Sequence, residues 1–170
     1  MSHFSVRKLS LWGLILACSS CSLDHGRSVA TLEYLSVEEL RNTGIYQIYF
    51  HSSEPVLELF KSRIGEGLVC SLDDDLDFAQ AHHIKLSGFG LVELVKDKEQ
   101  ASYRANMIFT DSEEGKGRES YLEGDTLKPL LLKRDYISCV FRVHTTRYKT
   151  YFSTVMHVPT ADLLKAINKK

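Results

Sequence analysis

Apolar and polar positions along the chain change period several times, and each change marks an element. Ser36 and Glu39 stand at capping-box spacing, with Leu35 and Leu40 placed as a hydrophobic staple, so a helix is predicted from Ser36, stopping at Gly44. Ile45-Tyr46-Gln47-Ile48-Tyr49-Phe50 is β-branched and aromatic and reads as a strand. Ser53-Glu54-Pro55 opens a second expected helix, with Val56, Leu57, Phe60 and Ile64 on one face and Gly65 and Gly67 ending it. Leu68, Cys70 and Leu72 then alternate along a strand that runs into Asp73-Asp74-Asp75-Leu76-Asp77.

The middle of the chain reads as β-rich. His83-Ile84-Lys85-Leu86 leads through Gly88-Phe89-Gly90, read as a bend, into a strand over 91–95, and Lys98-Glu99-Gln100 reads as a turn. Tyr103, Ala105, Met107 and Phe109 alternate with Arg104, Asn106 and Ile108 on a half-buried strand, and a polar loop runs from Asp111 to Arg118. Thr126 to Lys133 is helical, with Pro129 either starting the helix or kinking it. Ile137, Cys139, Phe141 and Val143 mark another strand. Tyr151 to Val158 marks the next, with Phe152, Met156 and Val158 inward. Pro159-Thr160 caps a last amphipathic helix carrying Leu163, Leu164 and Ile167. No βαβ unit recurs, so the expected fold is α+β: a mainly antiparallel sheet of about six strands with short flanking helices. A small closed barrel around strands 83–143 is the alternative, because paired glycines let strands bend sharply.

The N-terminal segment has a different character. Arg7-Lys8 is followed by the apolar run Leu9 to Ala17, which stops at Cys18. A positive start, a short apolar stretch and a small residue at the cut are marks of a secretory signal, and the run is too short to span a bilayer. Ile15-Leu16-Ala17-Cys18 resembles the lipobox of bacterial lipoproteins, departing only in Leu16, where a smaller or β-branched residue is usual. The resemblance implies a signal peptide over residues 1–17, lipidation of Cys18, and a tether over 18–32 before a single periplasmic domain, 33–170. Ser19 after the cysteine implies the periplasmic face of the outer membrane, where aspartate would imply retention at the inner membrane. Several acyl chains on one residue exceed what stable anchoring requires.

Loss of Arg7 and Lys8 leaves 19 of the 21 Lys+Arg against 22 Asp+Glu, a near-balance that gives no reason to expect nucleic acid. The charges are unevenly spread: Glu33 to Asp77 is mostly acidic, whereas Lys133 to Lys170 is mostly basic. Cys70 and Cys139 fall on apolar faces of predicted strands in a compartment that preserves disulfides, and a bridge between them is expected. It would close a loop worth up to about 4 kcal/mol by the chain-entropy estimate.

Candidate chemistry is sparse. The acidic run suggests a calcium loop, but Phe78 and Ile84 occupy the positions where glycine and glutamate are needed. His82 and His83 are adjacent and expected to diverge, and His144 and His157 lie on neighbouring predicted strands. There is no Gly-x-Ser-x-Gly elbow and no phosphate-loop spacing. Neither a cofactor nor enzymatic activity is therefore expected. Tyrosine and arginine anchor protein interfaces, so Arg147, Tyr148, Lys149 and Tyr151 are candidate partner-binding residues, together with Asp73, Asp74, Asp75 and Asp77. The expected function is that of an anchored periplasmic lipoprotein binding another protein. By size and layout it is weakly similar to immunity lipoproteins that neutralise toxins; a structural or assembly role in the outer membrane or cell wall is the alternative.

Overall fold

The computed structural model describes residues 27–95, 102–113, 119–147 and 149–169. Along the chain run β1 (Leu32–Glu39), β2 (Tyr46–Ser52), β3 (Arg63–Ser71), β4 (Leu86–Val95), β5 (Ser102–Ser112) and β6 (Glu119–Tyr121). They are followed by α1 (Gly124–Leu131), β7 (Tyr136–Thr145), β8 (Thr150–Phe152), β9 (Met156–Pro159) and α2 (Thr160–Ile167). Among the described residues these nine strands form one sheet, ordered β1-β2-β5-β4-β3-β7-β8, with β6 on β5 and β9 on β7. Every pairing is antiparallel, as expected. The strands outnumber the six expected, and the sheet is open, bounded by β1 and β8, so the closed-barrel alternative does not hold.

One face of the sheet curves around the main core. Tyr46, Ile48 and Phe50 of β2, Tyr103, Ala105, Met107 and Phe109 of β5, and Phe141 and Val143 of β7 are almost wholly buried there, with Leu127 and Leu131 of α1 and Leu163 and Ile167 of α2 laid over them. A smaller core lies on the outer face, where Phe78 and Ile84 from the 72–85 loop cover Val69 of β3 and Val140 of β7. β3 and β7 are thus buried on both faces, as their near-continuous apolar runs require.

The antiparallel registers give the sheet two rims. At one, Leu32 faces Ser52, Val95 faces Ser102 and Arg63 faces Thr145. This near rim carries the 53–62 segment and the hairpin between β7 and β8. The chain enters here, with the Val29 N–H donating to the Phe152 carbonyl at 2.8 Å and the Thr154 N–H to the Ala30 carbonyl at 2.8 Å. At the other, far rim, Glu39 faces Tyr46, Ser71 faces both Ser87 and Ser138, and Leu86 faces Asp111. It carries the 40–45 turn, the start of the acidic loop, and α1.

Several expected elements are corrected. The helix from Ser36 is strand β1: a bulge between Tyr34 and Ser36 breaks the two-residue period, so core-packed Tyr34 and Val37 fall at helical spacing. Glu39 serves the turn that follows, its Oε1 accepting the Gly44 N–H at 3.1 Å, where Gly44 sits at φ 73°. The second helix does not form. Segment 53–62 makes isolated turns that bury Val56 and pack Leu57 and Phe60 on the core, while Ile64 is exposed on β3 together with Gly65. Gly88-Phe89-Gly90 is not a bend but the middle of continuous β4. The strand expected over 151–158 is two, because Ser153 lies between β8 and β9 and its Oγ accepts the Phe141 N–H at 2.9 Å. Phe152 packs on the smaller outer core rather than on the main one. Pro129 lies inside α1, and the Thr160 hydroxyl donates to the Arg134 carbonyl instead of capping α2.

Candidate binding surfaces

The acidic loop is built by its own carboxylates. Asp73 Oδ1 accepts the Ser71 hydroxyl at 2.9 Å and the Asp75 N–H at 3.0 Å; Asp75 Oδ1 accepts the Asp77 N–H at 3.2 Å, and Asp77 Oδ1 the Ala79 N–H at 3.0 Å. Three successive side-chain-to-backbone turns thus carry the chain away from β3 and satisfy backbone donors that no strand partner reaches. His82 Nε2 lies 2.7 Å from Asp75 Oδ2 and its Nδ1 3.7 Å from Asp77 Oδ2, and Asp74 pairs with Arg134 at 3.4 Å. The hydrogen bond from His82 holds the Asp75 carboxyl below its usual range, helped by the Asp77 N–H. Among the described residues no three of these side chains are grouped to hold a metal ion.

The hairpin residues sit at the other end of β7. Tyr151 is half-buried, its ring 4.4 Å from that of Phe60, and the Thr146 N–H donates to the Ser62 carbonyl at 3.1 Å. These contacts tie the hairpin to the 53–62 segment around a cavity of about 310 Å³ that Lys61, Arg147 and Tyr151 help to line. Arg147 and Lys149 are exposed, and Tyr148 lies outside the described residues. Arg142 and His144 follow on the outer face of β7. Burial, and then the charge of Arg142, push the His144 imidazole down, while His144 Nδ1 lies 2.9 Å from the Thr150 hydroxyl. Asp73 and Asp74 thus start from the rim opposite the hairpin, and the loop then runs back over β7, where the Phe78 carbonyl accepts Arg142 Nη1 at 3.4 Å and Gln80 Oε1 accepts the Thr150 hydroxyl at 3.5 Å. No ion pair joins its acids to Arg147 or Lys149 among the described residues.

A third surface was not singled out from the sequence. On β4, Gly88, Gly90 and Val92 face the core while Phe89, Leu91 and Glu93 face outward. Large side chains are excluded from the inner row, since a Cβ on Gly88 would lie 2.6 Å from the Phe109 ring and one on Gly90 2.6 Å from Met107 Sδ. Phe89 lies directly across from Ile108 and over Gly67, yet Phe89, Leu91 and Ile108 remain 48%, 62% and 40% exposed. Polar pairs continue the same face: Glu93 with Arg104 at 2.6 Å, Gln47 with Asn106 at 2.7 Å, and Tyr49 with Glu38 at 2.7 Å. An apolar centre beside an ordered polar border has the anatomy of a protein interface.

The remaining chemistry serves the fold. Cys70 and Cys139 stand opposite each other on β3 and β7, wholly buried, and are joined by a disulfide with Cα atoms 4.0 Å apart. His51 Nδ1 lies 3.1 Å from the Ser102 hydroxyl, but Ser102 is only 2% exposed, which closes it to a substrate. His144 and His157 do not meet, since His157 lies opposite Ser138 with its ring 4.1 Å from that of Tyr136, near the far rim. His82 and His83 diverge, His83 Nε2 lying 3.1 Å from the Ser112 carbonyl. No described helix is long and apolar enough to cross a membrane. The signal and lipidation residues, Cys18 included, lie outside the described residues. No protein-family model, curated protein or solved structure matches the chain.

Proposed function

We propose that this is a periplasmic lipoprotein, anchored through Cys18 to the outer membrane, whose domain binds another protein across the outer face of β4 and β5. The observation that carries the binding role is the exposed cluster Phe89, Leu91 and Ile108 beside a border of paired polar side chains. Leaving three large apolar groups in water forgoes about 25 cal/mol for each Å² that a partner would cover. The anchoring role rests on Ile15-Leu16-Ala17-Cys18 after a short apolar run. Within this class the proposed role is that of an immunity protein, a small anchored domain that neutralises an incoming toxin by capping it.

The test is affinity capture from envelope extract with the tagged full chain, read by mass spectrometry. One stoichiometric partner, retained by an Arg147→Ala variant and lost in a folded Leu91→Asp variant, supports the binding face. Rescue of cells expressing a candidate toxin supports the immunity role. Capture indifferent to Leu91→Asp counts against this surface. Metabolic palmitate labelling that fails in wild type counts against the anchor.

A further inference from the structure

The chain enters the fold at only one of the two rims, and cations that pair with no acid among the described residues stand at that rim. Val29 pairs with Phe152, so Arg27 and Ser28 lie at the near rim. The β7–β8 hairpin stands at this rim too, with Arg147 and Lys149 exposed and Lys61 beside it on the 53–62 segment. Among the described residues, Arg27, Lys61, Arg147 and Lys149 take part in no ion pair. The acids of the near rim include Glu33, Glu54 and Glu58, on the β1 and β2 side, and Glu66, which lies 3.0 Å from Arg63. The far rim mixes both signs: Asp74, Asp111 and Asp125 pair with Arg134, Lys85 and Lys128, and Asp73, Glu123 and Arg41 stand beside them.

Resting on the proposed anchor at Cys18, we infer that the near rim docks on the membrane surface, with Arg27, Lys61, Arg147 and Lys149 against anionic lipid headgroups. Arg27 follows Cys18 by nine positions, a reach of at most about 30 Å when fully extended. That is no longer than ten-residue β7, about 33 Å at strand rise, so the rim bearing Arg27 is the part of the domain held nearest the bilayer. Tethering brings these cations within a Debye length, about 10 Å at moderate salt, of the negative surface. Each then raises the population of the docked state by roughly fivefold. Docking gives the basic hairpin to the membrane and leaves the outer face of β4 and β5 standing beside the bilayer, open to a protein partner.

The test uses lipidated full-length protein in a Cys21→Ser background. A fluorescent donor is attached at Ser62→Cys on the near rim or at Leu132→Cys, exposed beside α1 on the far rim, and energy transfer to headgroup-labelled lipid is measured. Vesicles are pure phosphatidylcholine or equimolar phosphatidylcholine and phosphatidylglycerol. The expected result is several-fold more transfer from position 62 than from position 132 in the anionic vesicles. That difference shrinks in high salt and in the Lys61→Glu, Arg147→Glu, Lys149→Glu triple variant. Equal transfer from both positions, or a difference indifferent to phosphatidylglycerol and to charge reversal, overturns docking while leaving the anchor intact. A chain that carries no palmitate and does not float with vesicles overturns the anchor, and docking with it. Loss of a captured protein partner in the triple variant, with transfer unchanged, assigns the hairpin to a protein interface and also overturns docking.

Discussion

The outer face of the sheet is treated in two ways. Over β3 and β7, Val69 and Val140 are roofed by Phe78 and Ile84 from the 72–85 loop, which three aspartate turns hold in place. Over β4 and β5, Phe89, Leu91 and Ile108 are just as apolar and have no roof among the described residues. The chain can therefore build a cover where stability needs one. The roofed half is stapled by the Cys70–Cys139 bridge and carries the fold, whereas the bare half holds its shape from the inner side, where Met107 and Phe109 fill the space left by Gly88 and Gly90. This difference is why the bare half is read as the binding face.

The comparison can be broken first at the staple. Replacing both Cys70 and Cys139 with alanine should cost up to about 4 kcal/mol in urea unfolding, since the bridge closes a 69-residue separation. A loss below 1 kcal/mol would show that the roofed half does not depend on it. Next in size is Phe78→Ala, which strips the roof and should cost about 3 kcal/mol by the same measurement. Leu91→Ala on the bare half should shift stability by no more than about 0.5 kcal/mol while weakening partner capture. If the two substitutions cost the same, the division into structural and binding halves is wrong.

The smallest effect is pH-dependent. His82 holds Asp75 below the ordinary aspartate value of 3.8, so the folded state binds fewer protons than the unfolded chain just beneath that value. The stabilisation is complete above it and is lost as pH falls through the lower folded-state value. Wild type should thus exceed His82→Ala in stability at pH 5 to 6 and converge with it in stronger acid. A gap that persists or widens in acid would show that His82 acts in another way.

How much of this was legible depends on whether a segment keeps one period. β5 and β7 alternate without interruption, and their inward residues were read correctly, as was the cysteine pair that ends up face to face. β1 was misread because a bulge turns alternation into three-residue spacing, and 53–62 because irregular turns can bury Val56 and Phe60 as well as a helix can. The bare face was missed for a different reason. In β4 the bulky row and the glycine row alternate perfectly, and size alone suggests that Phe89 and Leu91 point inward. Only the cross-strand partners Met107 and Phe109 decide that the glycine row is the inner one, and that information lies on another strand. The acidic and basic candidate clusters were visible as composition, but that Asp73 and Asp74 start from the rim opposite Arg147 and Lys149 follows from the register of β3 with β7.

Site-specific photo-crosslinking in living cells tests the binding face most directly, with a photoreactive residue in place of Leu91 on the bare half or Leu76 on the roofing loop. The expected result is one discrete adduct from position 91, of constant mass across preparations, and none from position 76. Equal adducts from both positions, or none from position 91 while position 76 gives one, would contradict the assignment of the bare half as the binding face.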